Sequence, residues 1–454
     1  MRFTRHTIDE LTRLAVPMVV SQGAFALMMF ADRFFLSRID ATHVAASLGG
    51  GVSFWVCLCF FNGIAAYSNA LVAQYLGRGE KSLCPQVVWQ GVLLSILTQP
   101  LLLALGIFWA DIFDWMGHSA DQVALEKPFF QVYMAASIVF LIKTVLASYF
   151  SGIGRTKVVM IADVAGVVLN MPLSYVLIFG KLGLPELGII GAAAGTIIAA
   201  AFSSLIYLAY FFERQHAQEF SVRDSFTISS SIMRRYVRLG TPSGLEIFIV
   251  LGTFNGFLLL YQSYGVTEGA AMAIVFNWDM LCFVPLMGLN IAIMSLVGRA
   301  VGAGEIGRAE EVIGAGYLLG GSYAATLAVL FVIFRYPLLD VFSVPGQDFS
   351  GIRAIGGPMM IGMASYVIAD AVILVSSGVL RGAGDTVWLM KTSMVLGVLM
   401  LLVQVGVILV WKLGPLTSWF VLVATIIAKA TLYGLRVRGD TWRAPERLES
   451  VMAE

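Results

Sequence analysis

The segment LVAQYLGRGE, from Leu71 to Glu80, occurs again as LVGRAVGAGE from Leu296 to Glu305. A second pair keeps the same order at nearly the same separation: FSGIGRT, beginning at Phe150, matches LRGAGDT, which begins at Leu380. Self-similarity at a nearly fixed period is the sequence signature of internal duplication. The chain is therefore predicted to contain two copies of one unit.

The composition is typical of a chain surrounded by lipid. Of the 454 residues, 59% are hydrophobic and 13% are charged, whereas soluble domains carry about 25% charged residues. Apolar runs of about 20 residues are long enough to cross a bilayer as helices, and barrel strands would alternate instead. The sequence predicts an all-α membrane protein with twelve transmembrane helices in two six-helix repeats. The runs are 11–35, 45–71, 87–109, 129–150, 158–179, 188–211, 239–261, 270–297, 312–333, 355–377, 387–409 and 419–433.

The number of spans in each repeat determines how the two repeats are oriented relative to each other. Six is even, so the two copies should be parallel, related by an axis along the membrane normal. A cytoplasmic N-terminus places 19 of the 29 basic residues in the cytoplasm and seven outside, which is the bias expected of cytoplasmic loops. We expect a multi-pass protein of the cytoplasmic (inner) membrane with both termini cytoplasmic. The net charge of +1 leaves no basic surface for nucleic acid.

The longest internal polar stretch, Glu213 to Arg238, marks the boundary between the repeats. The predicted organisation is an N-lobe at 1–215 with helices 1–6, a cytoplasmic linker at 216–238, a C-lobe at 239–436 with helices 7–12, and a cytoplasmic tail at 437–454. Two equivalent outside connections, Ala110 to Pro128 and Tyr336 to Ala354, carry aromatic and acidic residues. Each is expected to form a short interfacial helix.

Acidic residues within membrane spans are costly and tend to face the bundle interior, so each is a functional candidate. Five are present: Asp32, Asp163, Glu246, Asp279 and Asp370. Asp32 is followed by Arg33, so a boundary ion pair is the alternative to an ion-coupling role there.

Asp163 and Asn170 lie seven residues apart, on the same face of the fifth span. An amide beside a carboxylate suits either a proton-linked hydrogen bond or a sodium ion. Asp163 is also about five residues from the predicted cytoplasmic end of its span, near enough to reach the interface.

Glu246 and Asp370 each lie about seven residues from a predicted cytoplasmic end, which corresponds to about 10 Å of depth. Two carboxylates at one depth can share a proton or bind a cation; separate helix contacts are the alternative. Asp279 lies nearer the middle of its span. Pro17 and Pro242 are equivalent in the two repeats. They are either first-turn residues or, if their helices begin earlier, bend points.

These features together resemble the multidrug and toxic compound extrusion (MATE) family over essentially the whole chain. The resemblance is carried by the loops LGRGE and VGAGE, by LRGAGDT, and by NMPLSYVLIFGKLGLPELGIIGAAAGT from Asn170 to Thr196. It implies two six-helix lobes forming a V-shaped cleft. It also implies export of small organic, often cationic, compounds against inward flow of H⁺ or Na⁺, with no other cofactor. A monomer surrounded by membrane lipid is expected.

The resemblance assigns N-lobe roles residue by residue. Pro17 matches a first-helix proline used for helix bending, and Asp32 matches the aspartate that binds H⁺ or Na⁺. Asn170 and Thr196 match the polar residues beside that aspartate. One family branch has a second aspartate four residues after the asparagine, where this chain has Ser174.

In the C-lobe, Asp370 matches the tenth-helix aspartate of the branch regarded as sodium-coupled. That branch has a seventh-helix glutamate where this chain has Val250, and Glu246 lies one turn earlier on the same face. Asp279 is a further candidate for coupling. A Na⁺ site is thus expected at Asp32 with Asn170 or at Glu246 with Asp370, and H⁺ stays open as the coupling ion.

Two other functions compete with export. A flippase for lipids or lipid-linked oligosaccharides is the alternative transporter, although its anionic headgroups favour basic cavities and these spans carry acids. An intramembrane enzyme needs a catalytic constellation within the spans. The four histidines lie in predicted loops or at span edges, so an enzyme is not expected: His6, His43, His118 and His216.

Overall fold

The computed structural model describes residues 4–343 and 349–452. Within these residues the chain is helical and has no strand. The helices are α1 (Arg5–Leu36), α2 (Ala41–Ala66), α3 (Ser68–Gly77), α4 (Leu83–Phe108), α5 (Ile112–Trp115), α6 (Ala120–Ala135), α7 (Ser137–Gly152), α8 (Thr156–Phe179), α9 (Gly188–Phe211), α10 (Arg214–Glu219), α11 (Ser230–Gln262), α12 (Val266–Gly302), α13 (Ile306–Ile333), α14 (Arg335–Asp340), α15 (Ser350–Gly382), α16 (Thr386–Val405), α17 (Pro415–Arg438) and α18 (Pro445–Met452).

The predicted twelve-span membrane fold is confirmed. In the described part of the chain, 11 helices are long and apolar enough to cross a membrane, and a twelfth span is formed by α6 and α7, which meet at a bend of 47°. Each predicted apolar run lies within one of these spans. The second span is broken at Tyr67, between α2 and α3. We call the first six spans the N-lobe and the last six the C-lobe.

Backbone geometry explains why the repeated loops have glycine at equivalent positions. Gly79 in LGRGE has φ +79° and its counterpart Gly304 in VGAGE has φ +74°, while Gly154 and Gly384 in the second pair of loops both have φ +80°. Glycine adopts this left-handed conformation without the steric penalty of a Cβ atom, and it commonly follows the end of a helix. Both copies therefore keep glycine where a span ends and the chain reverses.

Pro17 and Pro242 lie inside helices, so a first-turn position is wrong for both. The helices α1 and α11 begin at Arg5 and Ser230, twelve residues before each proline. The side chains of Thr4 and Ser229 cap these earlier starts by accepting hydrogen bonds from backbone N–H groups. A proline inside a helix removes one backbone hydrogen bond, as the predicted bend point at Pro17 requires.

The connections at the far ends of the third and ninth spans contain short helices, as predicted. They are α5 and α14. Residues 344–348 of the second connection lie outside the described residues.

The segment that joins the lobes packs against the N-lobe. His216 in α10 is buried and forms a 2.8 Å hydrogen bond between its Nε2 atom and the hydroxyl of Tyr149. Burial, together with the nearby guanidinium of Arg155, lowers the pKa of His216 to about 4. The imidazole is therefore neutral near pH 7, which suits its apolar surroundings.

The lobes meet at the end of the bundle where both chain termini lie, here called the termini end. Gln74 Nε2 donates to the carbonyl of Gly382 at 2.7 Å, and Ser295 Oγ donates to the carbonyl of Ser151 at 2.8 Å. A Cβ atom on Gly302 would lie 2.1 Å from the carbonyl oxygen of Gln74. Small residues let helix backbones approach this closely. The V-shaped cleft is thus closed at the termini end.

We predict that Gly302→Ala lowers the unfolding temperature of the detergent-solubilised protein, because overpacking costs about 1–3 kcal/mol. The control is Gly307→Ala, where the added Cβ atom meets nothing within 4 Å. It should leave stability unchanged or raise it, because alanine favours helix. Thermal unfolding followed by intrinsic fluorescence measures both variants. Equal unfolding temperatures would contradict the close approach of the lobes at Gly302.

Candidate functional site

Three predicted N-lobe residues from three helices lie together. Thr196 Oγ1 on α9 donates a hydrogen bond to Asp32 Oδ2 on α1 at 2.8 Å. Asn170 Nδ2 on α8 lies 3.4 Å from Thr196 Oγ1 and 3.1 Å from Ser174 Oγ. Asn170 and Ser174 are fully buried. We call these four residues the Asp32 site.

Glycines allow the helices of this site to approach one another. A Cβ atom on Gly195 would lie 2.4 Å from Ser174 Oγ, and one on Gly191 would lie 2.6 Å from the backbone of Leu177. Each contact is shorter than an ordinary van der Waals distance. The segment GIIGAAAGT therefore brings α9 against α8 and places Thr196 beside Asn170.

Two oxygens of the Asp32 site have no hydrogen-bond partner. They are Asp32 Oδ1 and Asn170 Oδ1, and both are buried. Leaving a buried acceptor unsatisfied costs about 1–3 kcal/mol, and more when the group is charged. A proton, a water or a small cation would supply the missing interaction. Oxygen ligands of this kind are what hard cations prefer.

The alternative role for Asp32 is an ion pair with Arg33 at the membrane boundary. Among the described residues no ion pair joins the two, and Arg33 is exposed. Asp32 instead accepts its hydrogen bond from Thr196 inside the lobe. Because a serine stands at position 174, the site contains a single carboxylate.

Glu246 in the C-lobe has a cationic partner of its own. Its carboxylate lies 2.6 Å from Arg381 Nη2 and also accepts hydrogen bonds from Tyr433 at 3.2 Å and Ser393 at 3.4 Å. The Glu246 side chain is 5% exposed. Its charge is therefore balanced by Arg381, in contrast to the predicted sharing of one proton or cation with Asp370.

Asp370 lies with Asp279. The two carboxylates are within electrostatic range of each other, and Lys429 is within range of both Asp370 and Glu246. The buried hydroxyl of Tyr366 lies close to both aspartates. The C-lobe acids thus form one polar cluster in which Lys429 stands between the Glu246–Arg381 pair and the two aspartates.

The side chain of Asp163 is largely buried in the N-lobe. Its carboxylate forms a 3.0 Å ion pair with Lys143 on α7, and the side chain is 13% exposed. Tyr207 on α9 donates to it at 3.0 Å, and Ser21 on α1 also donates to it. Asp163 is therefore held among the helices of the N-lobe.

The basic partners of these acids are not evident from the sequence. Lys143 and Lys429 stand out there only as basic residues in or near spans, and Arg381 falls in a predicted cytoplasmic loop. The available signal is a lysine inside an apolar run, since such a charge requires a partner. No group of three or more His, Cys, Asp or Glu side chains suited to a metal occurs in the described residues. A Na⁺ ion would therefore need amide and hydroxyl ligands as well.

Comparison with known proteins decides the family. The profile of the MatE family matches residues 17–176 and 242–405. The starts of these two blocks, at positions 17 and 242, are separated by the same offset as Leu71 and Leu296 of the repeated LVAQYLGRGE segment. The chain belongs to the MatE family. It is a membrane transporter, not an enzyme.

Relatives and solved structures agree with this assignment. The chain is 27% identical over 447 residues to the multidrug resistance protein MdtK of Yersinia enterocolitica, with 94% of each chain covered. It resembles the crystal structure of the eukaryotic MATE transporter AtDTX14 with a TM-score of 0.86, at 18% identity over 98% of this chain and 99% of that one. An outward-facing multidrug resistance MATE transporter aligns over 100% of both chains with a TM-score of 0.83, also at 18% identity. The MatE chain therefore shares the fold of these transporters along its whole length.

We predict that Glu246→Met lowers the unfolding temperature of this MatE transporter more than the double variant Glu246→Met/Arg381→Met does. Removing one partner of a buried ion pair costs about 3–5 kcal/mol, whereas replacing both by apolar residues is often neutral or stabilising. Thermal unfolding in detergent measures the difference. If the double variant is as unstable as the single one, the Glu246–Arg381 pairing is not what stabilises this region.

Proposed function

We propose that this chain is a multidrug exporter. It moves small organic compounds, many of them cationic, out of the cell and takes up H⁺ or Na⁺ in exchange. It lies in the cytoplasmic membrane, with the termini end facing the cytoplasm. Family membership and the named multidrug relatives support export, and the distribution of basic residues supports the orientation.

The observation that carries the proposal is the pair of unsatisfied oxygens in the Asp32 site. Asp32 Oδ1 and Asn170 Oδ1 are buried acceptors without a donor. A proton bound by Asp32 adds the donor that these acceptors lack, and a cation would bind both oxygens. One carboxylate takes one monovalent ion. The site is therefore more stable when such an ion is bound.

This ion dependence supports exchange with a cationic substrate. A bound ion and a cationic substrate in the same lobe repel each other, so each lowers the affinity for the other by the same factor. Alternating access then requires only that the ion binds more tightly to one conformation of the lobes than to the other. The Asp32 site couples the two flows in this way.

We predict that Asp32→Asn abolishes gradient-driven export and leaves the protein folded. Asparagine keeps the shape of the side chain but removes the ionisable carboxylate. The control is Asp9→Asn on the same helix, where the aspartate is exposed, and it should export like the wild type. Drug resistance of cells and uptake into inverted vesicles measure both variants. Full resistance with Asp32→Asn would exclude this role.

The coupling ion is determined by driving inverted vesicles with one gradient at a time. A fluorescent organic cation should accumulate under a pH gradient alone or under a Na⁺ gradient alone. The gradient that drives accumulation of the fluorescent cation identifies the coupling ion. If neither drives uptake, secondary active export is wrong.

A further inference from the structure

The N-lobe contains a second polar layer built from the helices of the Asp32 site. Asp163 on α8 is held by Ser21 on α1, by Tyr207 on α9 and by Lys143 on α7. Its carboxylate thus contacts groups on every helix packed around it. We call these four residues the Asp163 layer.

The spacing along each helix stacks this layer under the Asp32 site. Ser21 precedes Asp32 by eleven residues on α1, and Thr196 precedes Tyr207 by eleven on α9. Asp163 precedes Asn170 by seven on α8. Seven and eleven residues are close to two and three helical turns, so each pair shares a face and is separated by roughly 10–16 Å. The Asp163 layer is the one nearer the termini end.

A cavity lies between the two layers. Its volume accessible to water is about 30 Å³, and it is lined by apolar side chains such as Phe25 and Met28 and by polar groups of Lys143, Asp163 and Thr196. Thr196 is the residue that donates to Asp32. A cavity needs about 10–15 Å³ of such volume to hold a water, and each water needs two to four polar partners. The cavity can therefore hold water between the Asp32 site and Asp163.

We propose that Asp163 is a second proton-binding residue, which receives the proton that Asp32 releases and passes it on toward the termini end. Lys143 is a positioning residue that holds the Asp163 carboxylate in place through their ion pair. This inference rests on the proposed function and specifies H⁺ as the ion at Asp32. It assigns the proton a route through the N-lobe.

The charge of Lys143 favours a proton over Na⁺ on this route. A Na⁺ ion that entered the cavity would approach a half-buried ammonium group, and like charges repel strongly where little water screens them. A proton is transferred from group to group and ends on the carboxylate that Lys143 already contacts. The Lys143–Asp163 pair therefore repels Na⁺ and accepts a proton.

The transfer balances with one proton and no redox change. The O–H bond of protonated Asp32 breaks as its proton passes to a hydrogen-bonded chain formed by the Thr196 hydroxyl and the cavity waters, and the water at the far end of that chain gives a proton to the Asp163 carboxylate. Protonation of Asp163 removes the charge that attracts Lys143. The proton then leaves toward the termini end, and both aspartates are carboxylates again.

The test compares a variant that removes the ion pair with one that keeps the carboxylate. The first is the double variant Asp163→Leu/Lys143→Met, which leaves no unpaired buried charge, and the second is Asp163→Glu. In proteoliposomes, each is measured for uphill export of a fluorescent cation under a pH gradient and for exchange of labelled against unlabelled cation. Exchange involves no net proton movement, so a loss of proton relay does not affect it.

We expect the rate of uphill export by the double variant to fall at least about tenfold. This is a minimum, because positioned proton-transfer groups typically contribute about 10²–10⁴-fold. The rate at which the double variant exchanges labelled for unlabelled cation should stay within twofold of the wild type. Asp163→Glu, which keeps the carboxylate, should retain uphill export. Wild-type uphill export by the double variant would overturn the relay. Loss of exchange together with export would also overturn it, since the pair would then be structural.

The two hypotheses fail in different ways. If Asp32→Asn exports uphill like the wild type, the proposed role of the Asp32 site is wrong. If Asp32→Asn is inactive and the double variant is active, only the relay through Asp163 is wrong. Uphill export driven by a Na⁺ gradient alone would overturn the relay and leave ion-coupled export standing.

Discussion

An ionised side chain in the hydrocarbon region must be balanced, and this requirement organises the interior of both lobes. The N-lobe spans bury Asp32 and Asp163 with one base, Lys143. The C-lobe cluster contains three acids and two bases: Glu246, Asp279, Asp370, Arg381 and Lys429. With every group ionised, each of these two sets of residues holds one more acid than base. In the proposed mechanism, that surplus carboxylate is where a bound cation would contribute most to stability.

The two repeats share the same helical scaffold, but their buried charged residues differ. The left-handed glycines at 79 and 304 keep both copies turning at the same place. At the offset that relates these two glycines, Asp32 corresponds to Phe257, which is fully buried in the C-lobe core. Glu246 corresponds to Ser21, which contacts Asp163. Ser21 and Glu246, which occupy equivalent positions, therefore each belong to a buried cluster that contains an ion pair. The carboxylate of the Asp32 site, in contrast, occurs only in the N-lobe.

The sequence predicted the spans and their loops well because both depend on local chemistry. Apolar length determines a span, and a left-handed turn requires glycine. The breaks at Tyr67 and Ala136 were not predicted, since the apolar run is continuous through each. The pairing of Glu246 with Arg381 was missed for another reason. It depends on how two distant helices are rotated against each other, and apolar periodicity is weak in helices that face lipid on one side and protein on the other.

The closed termini end determines how much free energy the proposed ion binding would have to provide. Opening it breaks hydrogen bonds between the lobes, such as that from Gln74 to Gly382, and each is worth about 1 kcal/mol net. Moving an equilibrium from 1:99 to 99:1 takes about 5.5 kcal/mol, whereas one coupled site typically supplies about 1–3 kcal/mol. In the proposed mechanism, a single ion at Asp32 would therefore shift the equilibrium between the two conformations only part of the way. The surplus acid of the C-lobe and the substrate itself are the remaining sources, so complete alternation requires contributions from both halves of the duplicated chain.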